Sequence, residues 1–510
     1  MKLIKKTMFI ILTSLVLFGL FGCGKTEAPN TPADIEILFW ESGYGREYLD
    51  KIIEAFEAKY PHYNVTLETT ADGTFMSSKL GLGADYNTTD IMMGICDDAA
   101  ILSKVDGEYP VLDLADIFNS KIDGESKTIA EKLGVSIMKT LQFPDGKYYS
   151  IPYVGGITGL AYNADVIDGS SFVLPRTTDE LIRLANDLKA DGKTPFIHFN
   201  EGGYWMYMVY AWACQYETQD VFYDRLVNPT LEKLTEKSSG LYKSLKVMEN
   251  LIGNVSNNYQ GSNTLAFTDA QTYFLNGKAV MMANGAWMEN EMASNYKPGE
   301  KNYAMMKTPV ISSIIEKCPS IENDAELAAL VEAIDFGITA LESTEYSVTQ
   351  DDYDRVKEAR SCLLNNAAGH GMVIPSYSNA IDAAKEFVKF YFSDEAIKIF
   401  EETTNSHSVA SYSGNNLTDK SDFSDWANCI YELTETSTFV TDVSFLKSRH
   451  AIFEVGCTLE GGVDIIKAMS AANPGDRLTA DGVWSKIETK HRKDWTKYWS
   501  DAGYSAPEGQ

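Results

Sequence analysis

The sequence predicts an α/β fold built from strand-helix-strand units, and three observations carry that reading. Residues 35–67 run from a short apolar strand (35–39) through an amphipathic helical pattern to a second β-rich stretch at 64–67. The chain is long: about 480 residues follow an N-terminal export segment, room for two or more domains at ~100–200 residues each. A glycine-rich extended passage through Gly155, Gly156 and Gly159 lies between apolar elements, as a crossing between domains would.

In the opening unit, Leu49, Ile52, Ile53, Phe56 and Tyr60 fall on one helix face, and Pro61 stops the helix because it cannot continue the turn. Parallel sheets place ligands beyond the carboxyl ends of their strands. Trp40 and Glu41, just past the first strand, therefore stand where a ligand is met.

The first 22 residues read as an export signal. Lys2, Lys5 and Lys6 supply the positive end, and an apolar stretch over 8–21 is too short for a comfortable membrane span. Leu20-Phe21-Gly22-Cys23 resembles a bacterial lipobox, although Phe21 is bulkier than its usual occupant. Cleavage there makes Cys23 the first residue and the site of a diacylglycerol; the alternative is an uncleaved anchor helix with an incidental cysteine. Residues 23–34 form a polar, proline-containing tether.

Beyond the opening unit, a strand is expected near 91–93, with Asp90 before it and Asp98 after it. Thr177-Thr178-Asp179-Glu180 opens a helix as a capping box, continued by Leu181, Leu184, Ala185 and Leu188. The most aromatic stretch is 198–216, in which most rings read as core and Trp205, beside Asn200 and Glu201, is the exception considered for a ligand contact. A strand over 279–283 leads through Gly285 and Ala286 to Trp287, a position poorly explained as core. Residues 303–310 read as a further interdomain crossing, and 312–366 as a polar, helical insertion. A strand near 369–375, an amphipathic helix with Ala384, Phe387 and Val388, a helix capped by Ser393 and a terminal helix with Trp484, Trp495 and Trp499 complete the chain.

The net charge is −28, more negative by three once the signal lysines leave, which argues against nucleic acid as a partner. Six cysteines besides Cys23 are widely spaced without a C-x-x-C, so free buried thiols are expected and a metal is not. G-x-S-x-G, H-E-x-x-H, Walker A and G-x-G-x-x-G are absent, and no cofactor is expected.

The lipobox at Cys23, the opening strand-helix-strand, GKYYSIP followed by GLAYNADVI, LPRTTDEL, FLNGKAVMMANGAWM and AIDAAKEFVKFYFSDEAIKIF stand in one collinear order. In that order they resemble the family 1 extracellular solute-binding proteins, the lipoprotein receptors of bacterial ABC sugar importers. The resemblance implies a two-lobed, type II periplasmic-binding-protein-like fold. Each lobe would be a mostly parallel sheet flanked by helices, joined by a multi-strand hinge. It implies 35–152 plus 309–402 as lobe 1 and 153–308 plus 403–510 as lobe 2. It also implies a monomer tethered by its lipid to the outer face of the cell membrane, with a carbohydrate ligand, ABC permease subunits as partners and no catalysis.

A pyranose offers C–H faces to flat rings and hydroxyls to carboxylates and amides. Trp40, Tyr153, Trp205 and Trp287 are the candidate platforms; Glu41, Asp90, Asp98, Asn200 and Glu289 are the candidate rim. With 72 acidic residues in the chain, a solvated surface charge is the default for each carboxylate other than Glu41. Two rival classes share part of this pattern. A glycoside hydrolase needs paired carboxylates, for which Glu41 and Asp98 would have to serve, and a receptor for a peptide or polyol needs a similar cleft. An adhesion protein would show repeats or a sandwich pattern, which are not seen.

Overall fold

Alternation along the first strand decides how the first lobe is layered. In the computed structural model, Ile35, Ile37 and Phe39 point to one buried face and Leu38 to the other, where it meets Met76, Leu80, Met92 and Val373. A strand buried on both faces needs helices on both sides. The structure describes residues 32–95, 98–105, 107–143, 145–200, 204–338, 347–441, 446–447, 458–459 and 463–501. The export signal, Cys23 and most of the tether, together with Glu201, lie outside them.

The strands that matter are β1 (Ala33–Trp40), β2 (Tyr63–Thr70), β3 (Ile91–Ile95), β4 (Ile151–Pro152), β5 (Ile157–Asn163), β6 (Met281–Gly285), β7 (Tyr303–Met306), β8 (Cys362–Asn365), β9 (Gly371–Val373) and β10 (Thr438–Thr441). The first sheet has the order β2-β1-β3-β9-β4, with β1 parallel to β2 and β3, and β9 antiparallel to β3 and β4. Helix Glu47–Lys59 connects β1 to β2 and buries Leu49, Ile52, Ile53 and Phe56. Helices Ile381–Tyr391 and Asp394–Thr404 add Phe387, Val388, Ile397 and Phe400 to the same core.

The second sheet has the order β10-β8-β5-β6, with β7 also on β5. Its pairs are antiparallel except β8 with β10. The expectation of a mostly parallel sheet is thus met only by the opening unit: the first sheet is mixed, with two parallel and two antiparallel pairs, and the second is almost wholly antiparallel. There β5, β6 and β7 meet side by side in opposite directions. Helices Thr178–Ala190, Tyr204–Glu217 and Gly240–Leu251 cover one face, with Leu181, Leu184, Val209, Trp212 and Leu245 in the core. Thr177 caps the first of these helices, its hydroxyl accepting from the Glu180 N–H at 3.2 Å.

Two further expectations are corrected. Residues 303–310 do not cross between lobes: Tyr303–Met306 is a strand of the second sheet, and the Val310 N–H donates to the Arg176 carbonyl, also in that lobe. Nor do the described residues of 309–365 belong with the first sheet, although 371–402 do. Ile311, Ile314, Leu327, Leu330, Val331 and Val356 pack in the second core, and β8 pairs with β5 there. The boundary implied by the resemblance misplaced 309–365, because its polar outer face hides an apolar stripe that only the neighbouring helices complete.

The chain passes between the sheets where β4 leads to β5 and where β8 leads to β9. These two connections lie side by side. The Gly156 N–H donates to Asn366 Oδ1 at 3.0 Å, the Asn366 N–H to the Gly156 carbonyl at 3.2 Å, and the Tyr153 N–H to the His370 carbonyl at 3.1 Å. A Cβ on Gly155 would come within 2.7 Å of Ala367 Cβ, so the close approach itself requires glycine. A third passage follows helix Asp394–Thr404 and reaches helix Asp425–Thr436, which packs on the second lobe through Trp426 and Ile430. Among the described residues, Cys214, Cys318, Cys362 and Cys429 are free, no group of side chains is disposed to hold a metal, and no helix is long and apolar enough to cross a membrane.

Candidate functional site

A cavity of about 1050 Å³ opens between the two sheets, against the side-by-side connections. The first lobe supplies its wall from the carboxyl ends of two parallel strands. Register places Trp40 beside Thr70 at the ends of β1 and β2, and Glu41, Tyr44, Thr69 and Thr70 line the cavity with Trp40. Trp40 folds over Gly94, whose φ is +118° and whose Cβ would lie 2.6 Å from Trp40 Cβ. That glycine is what lets the indole turn over the end of β3.

The indole stacks on His370, with ring centroids 5.5 Å apart and planes 10° from parallel. Burial pushes the His370 imidazole down to about 4, so it is neutral at neutral pH and serves as a flat polar ring rather than a cation. Asn366 Nδ2 lies 3.4 Å from His370 Nε2. Tyr44 closes the floor: its hydroxyl donates to the Gly155 carbonyl at 3.3 Å, accepts from Ser406 at 3.5 Å, and is raised by burial to about 12.

The second lobe supplies the opposite wall. Tyr204 and Tyr207, one turn apart at the start of their helix, stack at 5.3 Å and 22°. Phe199 meets Tyr204 edge-on at 4.9 Å and Trp287 does so at 5.9 Å. Asn290 and Glu291, in the short helix after β6, complete this side. Gln271 donates to Glu291 Oε2 at 2.7 Å, yet burial still raises the Glu291 carboxyl to about 7. No lysine or arginine lines the cavity among its described residues.

The nine candidates from the sequence divide accordingly. Trp40, Glu41 and Trp287 are brought together on the cavity. Trp287 is nonetheless only 7% exposed and packs with the first lobe's core, so it is both wall and filler. Tyr153 is 1% exposed and sits edge-on to Phe39 in the first core, its carbonyl accepting from the Tyr391 hydroxyl. Trp205 is as deeply buried, edge-on to Phe196 in the second core. Asp90 accepts from the Glu36 N–H and the Ser378 hydroxyl, holding β3 to β1. Asp98 pairs with Lys447, Asn200 accepts from Lys467 at 3.0 Å, and Glu289 accepts from the Gly299 N–H and Ser424. These six make structural contacts elsewhere.

Sequence reasoning passed over Tyr44, Tyr204, Tyr207, His370 and Glu291. Three of them carried a readable signal. Tyr204 and Tyr207 recur at i, i+3 at the mouth of an aromatic helix, and His370 stands between two glycines at a strand start. Glu291 carried none, since its environment comes from Gln271 and the other lobe.

Comparison with known proteins bears on this arrangement. The family model described as bacterial extracellular solute-binding protein matches residues 42–398. The chain is 25% identical over 260 residues to the diacetylchitobiose binding protein NgcE of Streptomyces coelicolor, covering 51% of this chain and 53% of that one. It is 24% identical over 297 residues to the multiple sugar-binding protein of Streptococcus mutans, covering 56% and 66%. The match thus spans between about half and two thirds of these relatives. A solved structure described for xylan utilization by Caldanaerobius polysaccharolyticus superposes with a TM-score of 0.61 at 14% identity, over 90% of this chain and all of that one. That likeness is one of fold.

Proposed function

Because the chain belongs to the bacterial extracellular solute-binding protein family, we propose that it is a receptor that holds a carbohydrate between its two lobes for delivery to an ABC importer. One observation carries this reading: a cavity of about 1050 Å³ walled by aromatic rings from both lobes and lacking a cationic side chain among its described residues. Its size exceeds what one sugar ring needs, since pockets of ~300–1,000 Å³ hold drug-sized ligands, and this supports an oligosaccharide. Rings supply faces for the sugar's C–H patches, while Glu41, Thr70, Asn290 and Glu291 supply acceptors and donors for its hydroxyls. That the described part of this wall carries no lysine or arginine disfavours phosphorylated or uronate sugars.

The names of the relatives, which concern sugar-binding proteins, support the same class of ligand. The lipobox reading of Leu20-Phe21-Gly22-Cys23 supports a lipid anchor at Cys23 on the outer face of the membrane. Lobe closure would turn on the paired connections at 153–156 and 366–370, where few residues join two independently packed cores.

A thermal-shift screen of the soluble domain against neutral oligosaccharides, coupled to chromatography of the sugar afterwards, tests this. Stabilisation with the sugar recovered intact supports a receptor. Cleaved sugar identifies an enzyme instead, and no stabilisation by any sugar points to another solute.

A further inference from the structure

Glu291 is a carboxyl held at the seam where the lobes meet. On one side Gln271, fully buried, donates to its Oε2 at 2.7 Å. On the other lies the turn after β1: a Cβ added to Gly43 would come 2.9 Å from both Glu291 Cγ and Oε1 and 3.1 Å from Trp287 Cβ. The second lobe carries Glu291, the first carries Gly43, and the cavity runs between them. The carboxyl's second oxygen therefore faces the other lobe across a gap that admits only glycine.

Its charged surroundings are sparse. From the turn after β1 come Glu41, at the cavity mouth, and Tyr44. On the helix that holds Gln271, Asp269 is exposed. In its own short helix, Glu289 turns away to the Gly299 N–H and Ser424. His370, across the cavity, is neutral. Among the described residues no lysine, arginine or histidine forms an ion pair with Glu291, whereas most other buried carboxylates here have a cation or several hydroxyl and amide donors. Bringing the lobes together removes water from a carboxylate that gains no cation in exchange, and burial of that kind favours the protonated acid.

On the reading that this cavity is a sugar site between closing lobes, we propose that closure drives a proton onto Glu291, so that mild acid favours the closed, ligand-binding form. The sign follows from linkage. A group that binds its proton more tightly in one state shifts the equilibrium toward that state as pH falls, by at most about tenfold per pH unit for a single proton. Affinity should thus be highest in mild acid, decline as pH rises toward about 7, and be level above it. Protonated, the carboxyl also offers a ligand hydroxyl a donor that the carboxylate lacks.

The test separates this coupling from the identity of the ligand. Small-angle scattering of the unliganded protein at pH 5.5 and 8.5 should give a smaller radius of gyration at the lower pH. Glu291→Gln, isosteric with the protonated acid, should be compact at both. Glu291→Leu, which also lacks the titrating group, replaces it should the glutamine variant not fold. Calorimetry with raffinose, maltotriose and diacetylchitobiose, in buffers of different ionisation enthalpy, should show uptake of a proton on binding at pH 6 by the native protein and none by E291Q. A radius independent of pH in the native protein, or the same pH response in the variant, overturns the proposal. Failure of all three sugars to bind counts against the sugar reading alone, because the scattering arm needs no ligand.

Discussion

Trp40 and His370 lie face to face, 10° from parallel and 5.5 Å apart, though 330 residues separate them in the chain. The first ends β1; the second sits on the connection that returns the chain from the second sheet to the first. Their stack ties one wall of the cavity to its hinge.

Trp40→Ala should lower affinity for the bound sugar by about 1–3 kcal/mol, taking the loss of a stacked aromatic as the nearest measured analogue. Because Trp40 is only half-buried, the melting temperature without ligand should fall much less. Calorimetry and thermal melts on the same preparation check both, and intact affinity would remove Trp40 from the site.

Trp287→Ala should cost more. Its ring touches Gly156, Gly285 and Tyr204 and is nearly sealed from water. Truncation should therefore remove roughly 3–5 kcal/mol of folding stability and weaken binding as well. The sequence suggests a projecting platform with little structural weight; its contact with the first lobe's core is the reason for the larger expected cost. Denaturant melts distinguish the two, and Trp287→Phe should recover part of both losses.

Gly156→Ala tests the crossing. A Cβ there would stand 2.9 Å from Trp287 Cε3 and from the Tyr44 hydroxyl, so the ring or the connection must shift, at a cost of about 1–3 kcal/mol. Gly73→Ala, where a Cβ meets nothing within 4 Å, is the control and should be neutral or slightly stabilising.

Burial holds His370 at about 4, whereas in the unfolded chain it takes a proton near the ordinary 6.5. Between those values the unfolded state binds more protons, so this residue's contribution to stability falls as pH drops from 6.5 to 4. His370→Gln should flatten that dependence. The check is the drop in melting temperature from pH 6.5 to 4.5, which should be smaller in the variant than in the native protein.

Cys23→Ala should release the protein from cells or leave it unprocessed, because alanine cannot form the thioether to diacylglycerol. Lipid labelling of the variant, expected to vanish, is the readout.

What could be read from the sequence was local. The opening strand, helix and strand, the Thr177 and Ser393 caps and the glycine crossing at Gly155 and Gly156 each rest on near neighbours in the chain, and each stands in the structure where it was expected. That Trp40 and Glu41 line the cavity could be anticipated because the end of a parallel strand is a place defined by topology. Trp205 and Tyr153 were not separable from platforms, since an aromatic reads alike whether it faces a cleft or a core; Phe196 and Phe39 decide the matter from elsewhere in the chain. Asp90 and Glu289 misled for a related reason. A carboxylate near a strand end suggests a ligand, and only Ser378 and Ser424, far away in sequence, show it to be a structural acceptor. The stretch after 309 was misplaced because β8 enters the second sheet antiparallel, a pairing no local pattern encodes.

Two lobes are proposed to enclose a sugar between Trp40 and His370 on one wall and Tyr204 and Trp287 on the other. The most direct test is small-angle scattering of the native protein at fixed pH, with and without a saturating amount of the neutral oligosaccharide that stabilises it best. The radius of gyration should be smaller with the sugar bound, and that compaction should be lost in a variant carrying Trp40→Ala and Tyr204→Ala together. An unchanged radius with the sugar demonstrably bound would contradict that enclosure.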